Sequence, residues 1–80
     1  MRYEVMTTLS PQAAIARAKN YFGPQGVGLE VIDEHETSVT LTGGGGHVSV
    51  VACSSEKTTT LELETREWDY PVRQFMREVS

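Results

Sequence analysis

The chain contains a single cysteine, Cys53, among its 80 residues, so no disulfide can form within it. One cysteine and two well-separated histidines, His35 and His47, also do not supply the ligand set of a zinc site. A lone thiol is typical of a reducing environment, which predicts a cytoplasmic protein. We expect one domain over residues 1–80, with no metal and no other cofactor.

Small size adds a constraint on stability. A domain of this length buries only about 60–65% of the surface that its unfolded chain exposes. Association with another chain is a common source of additional stability for such domains when disulfides and metals are missing.

Long apolar runs and basic clusters are also missing. No segment approaches the roughly 20 apolar residues of a membrane-spanning helix, and the first ten residues lack the apolar run of a signal peptide. The seven basic residues are scattered and are outnumbered by 11 acidic ones, which gives a net charge of −4. Because binding to phosphates requires clustered positive charge, we expect neither nucleic acid nor membrane as a partner.

Two segments have the residue spacing of amphipathic helices. In the first, Ser10 has the side chain of an N-cap, Pro11 suits the first helical position, and Gly23 follows the last turn. In the second, Asp69 is the predicted N-cap and a proline follows within the first turn. Apolar residues recur every three or four positions in both: Ala14, Ile15, Ala18, Tyr21 and Phe22 in the first, and Val72, Phe75, Met76 and Val79 in the second.

Five segments alternate with the period of two that is typical of β-strands. Their predicted bounds are 2–8, 29–33, 38–42, 47–54 and 58–66, with a turn over the acidic residues 33–37. Connections between the last four segments are short, which favours an antiparallel meander. The order β-α-β-β-β-β-α therefore predicts a two-layer α+β fold, in which both helices cover one face of an antiparallel sheet.

Four consecutive glycines, Gly43 to Gly46, are the most unusual feature of the sequence. A phosphate-binding loop needs a helix after the glycines, and a lysine with a hydroxyl residue, whereas here the glycines join two predicted strands. We predict a hairpin turn, in which two glycines adopt positive φ. The other two indicate a bulge, or a close approach of another backbone or of a ligand.

Few residues suggest chemistry. Cys53 lies among apolar strand residues and is predicted to be buried and inert. His35 is predicted to be exposed in an acidic turn. His47, at the start of a strand, is either a solvent-facing histidine or a proton-transfer group that works with a carboxylate. Because no nucleophile or substrate can be named, we predict no catalytic residue.

One face of the predicted sheet is polar and regular. Glu62 and Glu64 share a strand face, with Glu4 expected nearby. Such carboxylates can bind a cation or transfer protons, can be a solvated sheet face, or can meet the sheet of a second subunit. The residues predicted for an interface are Thr40, Thr42, Glu62 and Glu64.

The order β-α-β4-α and the segment Arg66 to Asp69 ("REWD"), which leads into the final amphipathic helix, resemble a shortened helix-grip domain. Polyketide cyclases, START domains and the birch-pollen allergen family share that architecture. The resemblance implies a curved sheet that grips the last helix, with a cavity for a small apolar ligand. Its expected lining is Tyr3, Leu61, Leu63, Trp68, Phe75 and Met76.

The same element order resembles the repeat of the TATA-box-binding protein. That repeat reads DNA with a basic sheet face that carries apolar wedges, whereas the polar face predicted here is acidic and rich in threonine. We therefore expect a non-catalytic domain that acts by association, as a homodimer or with a protein partner. The alternative is a helix-grip-like binder of a small apolar ligand.

Overall fold

The structure is a computed structural model that describes residues 1–80. It contains five strands and two helices: β1 (Arg2–Thr7), α1 (Pro11–Phe22), β2 (Glu30–His35), β3 (Ser38–Gly43), β4 (Gly46–Ser55), β5 (Thr58–Arg66) and α2 (Asp69–Val79). This order confirms the prediction from the sequence. Neither helix is long and apolar enough to cross a membrane.

Helix α1 begins as the sequence predicts. The Ser10 hydroxyl oxygen accepts a hydrogen bond from the Ala13 amide at 3.1 Å, and Pro11 occupies the first helical position. The proline has no amide that would need a partner there. At the other end the Gly23 amide donates to the Lys19 carbonyl oxygen, which closes the last turn.

All five strands form one antiparallel sheet in the order β1-β5-β4-β3-β2, so the first and last strands of the chain are neighbours. Strands β2 to β5 are a meander, as predicted. Met1 and Thr65 exchange two backbone hydrogen bonds, of 2.8 and 2.9 Å, at the start of β1. The two edges of the sheet are therefore β1 and β2.

Both helices lie on one face of the sheet, which confirms the two-layer α+β fold. Helix α1 packs on β3 and β4, and α2 packs on β5 and β1. The core between the layers consists of 15 buried apolar residues: Ala14, Ile15, Ala18, Phe22, Leu29, Val39, Leu41, Val48, Val50, Ala52, Leu61, Leu63, Val72, Phe75 and Val79. The helices meet through Phe22 and Phe75, whose ring centroids are 5.2 Å apart.

Strand β2 is longer than predicted. It continues to His35, so the predicted turn over 33–37 is too long and only Glu36 and Thr37 connect β2 to β3. The acidic residues look like a turn in sequence, but pairing with β3 holds them extended, with His35 opposite Ser38. The pairing shifts by one residue at Ile32, which is the extra residue of a β-bulge.

The predicted capping role of Asp69 is wrong. Trp68 is the N-cap residue and makes no side-chain capping bond, while Asp69 is the first residue of α2. The carboxylate of Asp69 instead accepts a hydrogen bond from the Tyr3 hydroxyl at 2.7 Å. A contact with a residue distant in sequence therefore replaces the local cap.

The glycines form a hairpin turn between β3 and β4, as predicted. Gly44 and Gly45 have φ values of 59° and 81°, the left-handed conformation that a tight two-residue turn needs. The predicted close approach of another backbone is confirmed at Gly46, where a Cβ atom would collide with the Arg66 carbonyl oxygen. The ring of Trp68 covers the turn, and its Nε1 donates to the Gly43 carbonyl oxygen at 2.9 Å.

Candidate functional site

The face of the sheet opposite the helices is uncovered, and we call it the open face. Strand alternation places on it the residues that are out of phase with the core. On the first four strands of the sheet these are Arg2, Glu4 and Met6 of β1; Thr60, Glu62, Glu64 and Arg66 of β5; His47, Ser49, Val51 and Cys53 of β4; and Ser38, Thr40 and Thr42 of β3.

Strand register arranges these side chains in rows that run across the sheet. One row joins Thr40, Ser49, Glu64 and Arg2, with 3.4 Å between the Thr40 and Ser49 hydroxyl oxygens and 3.6 Å between Arg2 Nε and Glu64 Oε2. The next row holds Ser38, Val51, Glu62 and Glu4. All four residues predicted for an interface, Thr40, Thr42, Glu62 and Glu64, therefore lie on the open face.

Charge is uneven across the open face. Glu4 lies directly opposite Glu62, which confirms the predicted proximity, and like charges in that position repel. Glu64 lies beside them on β5, whereas β3 and the centre of β4 present hydroxyl and apolar groups. No group of three or more histidine, cysteine, aspartate or glutamate side chains is arranged to hold a metal ion.

Apolar groups are also exposed on the open face. Met6 is 62% exposed and Val51 is 40% exposed, and they lie on β1 and β4. Cys53 is exposed as well, so the prediction that it is buried is wrong. Its register with Thr60 directs it to the open face, whereas the preceding Ala52 enters the core.

Neither histidine lies in a group of catalytic type. His47 is partly exposed on the open face, between Thr42 and Arg66 in register. His35 is exposed, as predicted, and its Nε2 lies 3.2 Å from Asp33 Oδ2. That contact is local to β2, far along the sheet from the acidic residues of β5.

The six residues predicted to line a ligand cavity lie in three different places. Leu61, Leu63 and Phe75 are at most 1% exposed and fill the space between the sheet and α2. Trp68 covers the glycine turn. Tyr3 and Met76 lie at the surface, in a groove of about 330 Å³ between β1 and α2, which we call the β1–α2 groove.

Tyr3, on the strand side of this groove, is hydrogen-bonded to Asp69 at the start of α2. The hydrogen bond to the Asp69 carboxylate raises the pKa of Tyr3 above its ordinary value of 10.0, with partial desolvation in the same direction and Arg73 opposing. Because the raised pKa belongs to the folded state, the contribution of the protonated phenol to stability is complete below pH 10. It is lost as the pH rises through the raised pKa.

The Asp69→Asn variant should therefore lower the pKa of Tyr3, since the charged acceptor is removed. Tyrosinate absorbance followed against pH measures this, and the Tyr3→Phe variant identifies which part of the curve belongs to Tyr3. An unchanged Tyr3 titration in Asp69→Asn would contradict the assignment of the hydrogen bond as the main cause.

Two sets of residues were not identified as sites from the sequence: those at the centre of the open face, and Arg73 and Arg77, which line the helix side of the β1–α2 groove. On β4, Ser49 and Val51 lie between Thr40 and Thr42 of β3 and Glu62 and Glu64 of β5. The alternation of side chains along β4 is the sequence signal that could have placed them on the open face. The chain matches no family model, and none of the curated proteins compared with it matches.

Proposed function

We propose that this domain is non-catalytic and acts by protein association through the open face, with a second copy of the chain as the simplest partner. The observation that carries the proposal is a five-stranded sheet with helices on one face only. The uncovered face holds exposed Met6 and Val51 among small hydroxyl side chains. Serine and threonine allow a second sheet to approach closely, at about 10 Å.

The size of the open face is compatible with this role. Five strands that average about seven residues cover roughly 24 Å by 24 Å, or about 600 Å² for each copy. Face-to-face packing of two copies would bury about 1,200 Å², which is at the lower end for a stable, specific interface. The expected association is therefore reversible and dependent on concentration.

The uneven charge restricts how two copies can meet. The acidic residues of β1 and β5, Glu4, Glu62 and Glu64, repel their counterparts if the copies align with these strands together. A two-fold axis along the strands near β3 and β4 separates these residues from their own counterparts and places neutral Thr40 and Ser49 at the centre. It brings β5 opposite β2 of the other copy, where Glu30 and Asp33 share the open face, and this limits the affinity of the pair. A basic surface of another protein is the other partner with suitable charge.

The Val51→Glu variant should weaken self-association about tenfold or more, because the new carboxylate would be buried beside Glu62 without a cation. Sedimentation velocity over a range of concentrations measures this. The matched control is Ala16→Glu, which adds the same charge to the exposed side of α1 and should leave association unchanged. A wild-type chain that stays monomeric at all concentrations would contradict the second copy as partner.

Binding of a small apolar ligand is the alternative function, and it has less support. The residues expected at the centre of a helix-grip cavity, Leu61, Leu63 and Phe75, are packed against one another in the core. What supports this alternative is the β1–α2 groove, where Tyr3 and Met76 are accessible. A thermal shift with apolar compounds that is lost in Met76→Gln would favour it.

A further inference from the structure

Strand β1 is an edge of the sheet and has a free hydrogen-bonding side. Met1 exchanges both its backbone bonds with Thr65, and antiparallel pairs alternate between bonded and non-bonded positions. Tyr3, Val5 and Thr7 therefore bond to β5. The backbone amides and carbonyls of Arg2, Glu4 and Met6 point away from β5, on the side of β1 where the sheet has no further strand.

The β1–α2 groove runs beside this free edge on the helix side. Tyr3 and Val5 form the strand wall, and Arg73, Met76 and Arg77 form the helix wall. The two arginines lie one turn apart on α2, so their guanidinium groups border the same groove. Neither takes part in any of the three ion pairs of the structure.

We propose that the β1 edge and the β1–α2 groove together bind an extended, acidic segment of a partner protein as a sixth strand. The backbone of the segment bonds to the free groups of Arg2, Glu4 and Met6. Every second side chain of an added strand points to the helix side of the sheet. Carboxylates at those positions meet Arg73 and Arg77, which bind carboxylates through paired hydrogen bonds.

The other side chains of the segment lie next to Arg2, Glu4 and Met6, at the border of the open face. Carboxylates are unfavourable beside Glu4, which already faces Glu62. The preferred segment therefore alternates, with acidic residues on the helix side and neutral residues on the other. The alternation distinguishes the preferred segment from one that has a high negative charge but no regular spacing of its acidic residues.

A second copy of the chain does not suit this edge. Antiparallel pairing of two β1 strands would place the two α2 helices side by side, since α2 covers β1 and β5. Arg73 and Arg77 of both copies would then meet without counter-ions. The segment adds beside β1 rather than over the open face, and its arginine contacts lie on the helix side, so tests with Arg73 and Arg77 variants can succeed or fail independently of the proposed function.

Selection from a displayed library of random peptides about ten residues long is the first experiment, because such peptides span the six residues of β1. Wild-type protein is used for selection, and Arg73→Gln/Arg77→Gln is used for counter-selection. We expect enriched peptides with acidic residues at every second position. Enrichment of no peptide over the double variant, or of apolar peptides without acids, would overturn the proposal.

Fluorescence polarisation of one enriched peptide then tests the binding mode. Each arginine substitution should weaken binding on the order of tenfold, and Arg17→Gln on α1 is the matched control that should not. Two isomers of the peptide carry N-methyl groups on alternate amides, in opposite phase. Only the isomer whose methyl groups face β1 should lose binding; equal affinities for both isomers would exclude strand addition and overturn the proposal.

Discussion

Replacing Phe75 by alanine is expected to destabilise the fold by about 3–5 kcal/mol, the usual cost of truncating a buried phenylalanine. Phe75 is completely buried, and its ring lies 5.2 Å from that of Phe22 and 5.4 Å from that of Tyr21. These contacts join the two helices to each other above the sheet. A domain of this length has a total stability of only about 4–12 kcal/mol, so the variant should lose a large fraction of it.

Urea unfolding followed by circular dichroism measures this change. The matched control is Tyr70→Ala, which also removes an aromatic ring from α2 but at a position that is 66% exposed. Its effect should be within about 0.5 kcal/mol. A similar cost for both variants would show that Phe75 contributes through the helix rather than through the core.

Replacing Gly46 by valine is expected to cost about 3 kcal/mol or more, the upper part of the range for overpacking. A Cβ atom at this position would collide with the Arg66 carbonyl oxygen, and the Cβ of Glu67 would lie only 2.8 Å away. Because the obstructing atom belongs to the backbone, no rotamer change relieves the collision. Strands β4 and β5 must separate at this end of the sheet.

The thermal midpoint and the exchange rates of the β4 and β5 amides report this separation. Gly45→Asn is the matched control in the same turn, since nothing lies within 4 Å of the added Cβ and asparagine tolerates positive φ. It should cost less than about 1 kcal/mol. Normal stability in Gly46→Val would contradict the close approach of the two backbones.

Local patterns were sufficient to predict most of the fold. Ser10 and Pro11 identify the start of α1 because capping depends on neighbours within one turn. Alternation in β5 predicts its two faces because Leu61 and Leu63 differ clearly from Glu62. The pattern fails in β4, where Val50, Val51 and Ala52 are consecutive and hide the phase of Cys53.

Contacts between distant residues explain the remaining errors. Asp69 has the ideal side chain for an N-cap, but Tyr3 from the other end of the chain binds it. The extension of β2 to His35 depends on its pairing with β3. For the same reason, the sequence predicted the composition of the open face but not the β1–α2 groove, which requires the first strand to lie beside the last helix.

The two edges of the sheet differ in a way that limits how copies of this protein can polymerise. Strand β2 carries a bulge at Ile32 and the charged residues Asp33, Glu34 and His35, features that prevent another strand from pairing. Strand β1 has no bulge. Because only β1 of each copy is open to pairing, two copies joined edge to edge would leave a β2 strand at both outer edges, and such a sheet could not continue into a fibre.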